Sequence, residues 1–289
     1  MNIAFRTWHC VALSGIGQSA RVPPIYYAEL APATVLPGGV SGARAVRMEG
    51  FGKADSEALP FLVFNEFVAG RIAAAVGVPV PPGAPAILDP GHEKIWISLS
   101  FSKPGAGPPP PTTGKAVFSA SERMACKILA FDVLIGNGDR HEGNVSVASK
   151  RIDLWDHDRA ILSHGRPNLL SSPDAMAYLD CYQSDFIVDG ITDRLSQPHL
   201  LLDSVSDDGE LLDATKEIQR RCTNEVLAEA VDDACRLELS GVSPAIAERV
   251  GEFLRFRRDN LQKLFVDHRE ALTSCFGWSL LWELSEGGN

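Results

Sequence analysis

The chain has no apolar run long enough to span a bilayer, and its first residues lack the basic segment and continuous apolar core of a secretory leader. Both absences predict a soluble, cytoplasmic protein with no membrane partner. Cysteine is sparse: the six residues at 10, 126, 181, 222, 235 and 275 form no Cys-x-x-Cys pair and cannot build a disulfide scaffold, so reduced packing thiols are expected. Positive charge is also in deficit. Against 37 Asp and Glu stand 27 Lys and Arg, a formal net charge of −10, which argues against general nucleic-acid binding. Neither Gly-Lys-Ser nor Gly-Lys-Thr occurs, so a Walker-type P-loop is excluded. No internal repeat is found.

What the chain does have is a segment rich in oxygen-bearing side chains, Leu134-Ile-Gly-Asn-Gly-Asp-Arg-His-Glu-Gly-Asn144, followed by Ile152-Asp-Leu-Trp-Asp156. Asn144 lies five positions after Asp139, and Asp156 lies twelve after Asn144. Phosphoryl transfer asks a protein to align a nucleophile and to neutralise triphosphate charge, usually with Mg²⁺, which prefers a few hard oxygen ligands. An amide carbonyl and one carboxylate meet that need and leave Asp139 to accept or orient a hydroxyl proton.

The surrounding residues organise the segment. Ser119 followed by Glu122 reads as a capping box, and Met124, Ile128, Leu129, Val133 and Leu134 recur at helical spacing, predicting a helix that runs to about Ile135. Gly136, Asn137 and Gly138 break it into a loop carrying Asp139. Val145 and Val147 alternate with Ser146, Ala148 to Arg151 offer a polar turn, and Ile152 to Trp155 make a return strand, so a hairpin brings Asp156 back towards Asn144. The Asp–Asn spacing alone occurs by chance in many proteins; its ordered context carries the reading.

Gly138-Asp-Arg-His-Glu-Gly-Asn144 resembles the Gly-Asp-Arg-His-x-x-Asn catalytic loop of phosphoinositide-kinase-like enzymes and of bacterial HipA-like kinases. Upstream, Asn65-Glu-Phe-Val-Ala-Gly-Arg-Ile-Ala-Ala-Ala-Val-Gly-Val-Pro-Val-Pro81 is similar to the Asn-Glu helix and following Gly-Leu-Pro-Val-Pro of the HipA-like branch. The resemblance implies an α+β, two-lobed protein-kinase-like fold with a β-rich N-terminal lobe and a mainly helical C-terminal lobe. It implies ATP and Mg²⁺ as cofactors, transfer of the γ-phosphoryl group to a hydroxyl of a protein Ser or Thr, and room for a regulatory partner protein. A lipid or small-molecule kinase, an AMP transferase and a pseudokinase-type nucleotide-binding module remain open on the same fold.

Residue by residue, the resemblance makes Asp139 catalytic, gives His141 a part in handling the hydroxyl proton or in holding the loop, and makes Asn144 and Asp156 metal ligands. Glu66 becomes the helix acid that pairs with a phosphate-binding cation. Where the family carries Lys, the expected strand Ala43 to Met48 has Arg47; Lys53 competes, but its Gly-bearing surroundings, Glu49 to Asp55, read as a loop. Gly38 and Gly39, just ahead of that strand, are the better-placed glycines for covering phosphates; Ser14 to Ser19 is the other candidate. After Asp156 come His157 and Asp158 where the family has a Gly two residues on. Asp139, His141 and His157 complete no zinc spacing.

The expected layout is an N-terminal lobe over 1–103 with one helix at about 56–76, a Pro/Gly-rich connection at 104–114, and a helical lobe over 115–289 containing the catalytic loop 136–144 and the hairpin 145–158. Gly77 and Pro79 end the first helix, and Ala84 to Leu88 and Ile95 to Phe101 read as strands. Asp203 to Glu210 reads as an acidic surface loop. From Ile246 onwards the apolar residues keep helical spacing, with Arg255, Arg257 and Arg258 assigned to a solvated face or to acid partners.

Overall fold

The computed structural model describes residues 8–15, 26–32, 49–57, 59–88, 93–99, 110–148, 150–162, 172–186 and 199–272. Strands β1 (Trp8–Gly15), β2 (Tyr26–Pro32), β3 (Glu49–Ala54), β4 (Gly83–Leu88) and β5 (Glu93–Leu99) close a barrel in the order β1-β2-β3-β5-β4. The β1–β4 pair is parallel and the other neighbours are antiparallel. Lys53 therefore lies in a strand, not in the expected loop. Glycine weakens strands, but Gly50 and Gly52 sit in a strand bonded on both sides, to β2 and to β5, and that pairing overrides local propensity.

Helix α1 (Leu62–Val76) packs against β3, β4 and β5. It begins six residues later than expected because its N-terminus is capped from a distance. Phe61, at the N-cap, has no capping side chain; instead the Val63 N–H donates to Asp55 Oδ1 at 2.9 Å and the Phe64 N–H to Ser240 Oγ at 3.0 Å. Ser240 Oγ in turn donates to the same Asp55 oxygen. At the other end Gly77 takes φ 76, the left-handed conformation that a C-cap needs and that only glycine adopts without strain. Residues 62–69 are buried throughout, polar Asn65 and Glu66 included.

Helix α2 (Gly114–Ala120) precedes α3 (Glu122–Ile135). The expected cap at Ser119 is displaced: Ser119 lies inside α2, the backbone turns extended at Ser121, and Ser121 Oγ accepts from the Met124 N–H at 3.2 Å. Gly136, at φ 67, ends α3. Strands β6 (Val145–Ala148) and β7 (Arg151–Leu154) form the hairpin, pairing Val145 with Leu154. Helices α4 (Ser172–Tyr182), α5 (Asp208–Arg221), α6 (Asn224–Arg236), α7 (Pro244–Asp259) and α8 (Leu261–Asp267) follow. Asp207, Thr223 and Ser243 cap α5, α6 and α7, each accepting an N–H three residues on. The segment expected as an acidic loop is thus partly helix, and Val205 within it is fully buried.

One apolar core links α1, α3 and α7, with Leu62, Phe64, Leu129, Val133, Val250 and Leu254 among its buried members. Arg257, expected on a solvated face, is inside it. Its guanidinium donates to the carbonyls of Val133 and Leu134 at the end of α3, and to those of Tyr182, Gln183, Asp185 and Phe186 at and beyond the end of α4. Helix C-termini leave carbonyls unpartnered and carry partial negative charge, so one buried cation satisfies two of them. Among the described residues no helix is long and apolar enough to cross a membrane.

Candidate active site

Tertiary packing joins β3, α1 and the end of β7 around one ammonium group. Lys53 Nζ donates to Glu66 Oε1 at 2.7 Å and to Asp156 Oδ1 at 2.5 Å, with Asp158 Oδ2 at 3.9 Å. Burial pulls the lysine down, but Asp156, Glu66 and Asp158 outweigh it and hold the amine charged well above the ordinary lysine range. Asp156 feels burial in the opposite sense, and Lys53 overcomes it to keep that carboxyl below its usual range. Glu66 is likewise lowered, since Lys53 and His157 outweigh its burial. Asp158 goes the other way: burial and then the Asp156 charge raise its carboxyl well above normal.

His157 lies under this cluster, 3% exposed and edge-on to Phe131, with Nδ1 at 3.4 Å from Glu66 Oε2. Its Nε2 has no hydrogen-bond partner among the described residues. Asp156 itself adopts φ 67. Aspartate is one of the residue types that tolerate this left-handed conformation.

The loop after α3 carries the other predicted residues. Asn144 is buried, and its Nδ2 donates to the Asp139 carbonyl at 3.0 Å, which orients Oδ1 as the amide's remaining acceptor. The Trp155 N–H donates to the Asn144 carbonyl at 3.2 Å, tying the loop to the residue beside Asp156. Asp139 is part-exposed, with Oδ2 at 3.5 Å from Arg159 Nε. Burial raises its carboxyl, opposed by Arg159 and His141. A raised carboxyl is a better proton acceptor than an ordinary aspartate. His141 turns back on its own loop, where Nδ1 accepts from the Gly143 N–H at 3.0 Å.

A second charge cluster underlies the loop and was not anticipated from sequence. Asp132 and Arg140 are fully buried and doubly bonded, Nε to Oδ2 at 2.9 Å and Nη2 to Oδ1 at 2.8 Å. Asn137 Nδ2 and His199 Nε2 complete the carboxylate, each at 3.0 Å. Burial raises the Asp132 carboxyl, but Arg140 and His199 prevail and hold it far below the usual range. The remaining Arg140 nitrogen donates to the Trp155 carbonyl at 2.6 Å and to that of Asn144 at 3.3 Å. Arg140 thereby fastens both ends of the hairpin to the loop. An Asp within the apolar register of α3 was the available signal.

The structure thus brings Glu66 and Asp156 together through Lys53, and links Asp139 to Asn144 through the loop. Arg47, Gly38 and Gly39 lie outside the described residues, as do residues 16–19 of the alternative glycine segment, whose Ser14 and Gly15 end β1. Among the described residues no group of three or more His, Cys, Asp and Glu side chains could hold a metal ion. The hard oxygens of Asn144 and Asp156 suit Mg²⁺, which takes few protein ligands and fills its shell with water and phosphate.

No protein-family model and no curated protein matches the chain. Among solved structures it is similar to the Helicobacter pylori proinflammatory kinase CtkA, at 15% identity and a TM-score of 0.55, over 94% of this chain and 98% of that one. The chain has a kinase-like fold. Looser similarities are to HipA of Shewanella oneidensis in its complex with HipB and operator DNA (15% identity, TM-score 0.40, 83% of this chain and 67% of that one) and to a chain of the Neurospora crassa PAN2–PAN3 pseudokinase complex (10% identity, TM-score 0.28, 99% and 69%). These two superpose too loosely to add to the assignment.

Proposed function

We propose that the chain is an ATP- and Mg²⁺-dependent HipA-like kinase that transfers the γ-phosphoryl group to a protein Ser or Thr hydroxyl, with lobes over 1–103 and 115–289 joined by 104–114. The observation that carries this reading is the Lys53 ammonium shared between Glu66 of α1 and Asp156 beyond β7, next to a loop presenting Asp139 and Asn144. Lys53, not Arg47, is the phosphate-binding cation in this reading. Glu66 aims it, and an ammonium already held among carboxylates needs no reorganisation when phosphate arrives. Asn144 and Asp156 hold the metal, which supplies positive charge against the triphosphate. Asp139 orients the acceptor hydroxyl and takes its proton, while Arg140 keeps the loop in register.

Incubation with ATP labelled at the γ position, with the chain itself and general Ser/Thr proteins as acceptors, tests the reading. Label should pass to protein hydroxyls in a Mg²⁺-dependent manner and fall at least about 100-fold in Asp139→Asn. Transfer of label from the α position instead would identify an AMP transferase. Absence of nucleotide binding would remove the proposal altogether.

A further inference from the structure

The segment that follows Asp156 is pinned around one exposed side chain. From His157 to Leu162 every residue is buried except Arg159, whose side chain is 45% exposed. Asn65 of α1 brackets the segment, its Nδ2 donating to the Asp158 carbonyl at 3.0 Å and its Oδ1 accepting from the Leu162 N–H at 3.3 Å. At the end of α3 the Ile135 carbonyl accepts from the Ile161 N–H at 2.9 Å, and within the segment the Ala160 N–H donates to the His157 carbonyl at 3.1 Å. Ile161 takes φ 53, a conformation that a β-branched residue adopts only where its surroundings impose it.

This pinning gives Arg159 a direction. Asp158 turns its carboxylate to Lys53, and Arg159, the next residue, turns its guanidinium to Asp139, with Nε 3.5 Å from Oδ2. That ion pair is loose, and the guanidinium makes no hydrogen bond to any described residue. Arg140 and Arg257, by contrast, commit theirs to carboxylate and carbonyl oxygens inside the fold. A guanidinium carries five N–H donors in a planar fork that matches the oxygens of a phosphoryl group. In the kinase reading the hydroxyl that gives its proton to Asp139 attacks the γ-phosphorus, so a group lying against Asp139 stands beside the reacting phosphoryl oxygens.

We propose that Arg159 is a further catalytic residue, whose guanidinium leaves Asp139 for the γ-phosphoryl oxygens and stabilises the charge they carry during transfer; the inference rests on the kinase reading. The same exchange frees the Asp139 carboxylate for the acceptor hydroxyl, so one movement of one side chain prepares both partners of the reaction.

The test compares the full wild-type chain with Arg159→Gln, Arg159→Lys and Arg159→Ala in two measurements. One is transfer of label from γ-labelled ATP; the other is binding of Mg·ADP with and without aluminium fluoride, a mimic of the transferring phosphoryl group. Arg159→Gln should lower kcat about 100-fold or more while the dissociation constant for Mg·ADP changes less than about threefold, because the contact forms in the transition state. The tightening of Mg·ADP by aluminium fluoride should be lost in the same variant. Arg159→Lys should stay low, since a point charge does not replace the planar fork, and added guanidinium should raise transfer by Arg159→Ala, a response that no folding defect gives. Transfer by Arg159→Gln within about threefold of wild type overturns the inference and leaves the kinase standing. A loss confined to KM for the acceptor also overturns it and assigns the guanidinium to acceptor binding. A wild-type chain that binds Mg·ADP but transfers no label sinks the kinase reading itself, and Arg159 with it, before any variant is compared.

Discussion

Two charge clusters meet where Arg140 donates to the Trp155 carbonyl beside Asp156, and they are built on opposite plans. Around Asp132 the charges balance: one carboxylate meets one guanidinium, and Asn137 and His199 fill what remains of its oxygens. Around Lys53, three carboxylates converge on one ammonium, one of them is pushed towards its protonated form, and a neighbouring ring nitrogen lacks a partner among the described residues. The first cluster is complete in itself and serves as architecture. The second carries an excess of negative charge, and in the kinase reading proposed above this difference would separate scaffold from site.

The largest effect should come from breaking the complete cluster. Asp132→Ala strands the buried Arg140 charge and should cost about 3–5 kcal/mol in urea unfolding; a loss below about 1 kcal/mol would remove the scaffold role. Lys53→Met should lower phosphoryl transfer at least about 100-fold, worth about 3 kcal/mol in the transition state, with a smaller loss of folding stability than Asp132→Ala. A larger stability loss for Lys53 than for Asp132 would invert the comparison.

Asp55 offers an intermediate case, bonded to Val63 and Ser240 but in no ion pair among the described residues. Burial outweighs those bonds and raises its carboxyl to about 6. The folded value then exceeds the unfolded one, so the folded state keeps the proton longer and stability from this group falls as pH rises from about 4 to about 6. Asp55→Asn should flatten that fall by about 2 kcal/mol, measured as the difference between urea midpoints at pH 4.5 and 7. The smallest effect is that of Mg²⁺ without nucleotide. At ten times its dissociation constant it should add about 1.4 kcal/mol to wild-type stability and nothing to Asp156→Asn.

Much of the local structure was legible because short-range rules governed it. Gly77 and Gly136 end helices where left-handed backbone is needed, and the Val145–Leu154 hairpin follows strand alternation around a polar turn. Three expectations failed for one shared reason, namely that the deciding partner is remote. The start of α1 depends on Asp55 and on Ser240, which lies 176 residues beyond Phe64. Arg257 looks like a surface residue until the ends of α3 and α4 converge on it. Lys53 looks like a loop residue until β5 pairs with it through Trp96.

By itself the sequence determined the order of the loop, Asp139 to Asn144, and the hairpin that returns Asp156 towards it, because these depend on spacing, turns and alternation within some twenty residues. Only the tertiary structure decided which cation meets Glu66 and Asp156 and which buried acid holds the loop. Those choices are made by charges that burial forces to find partners, and the partners came from strands and helices up to 103 residues away.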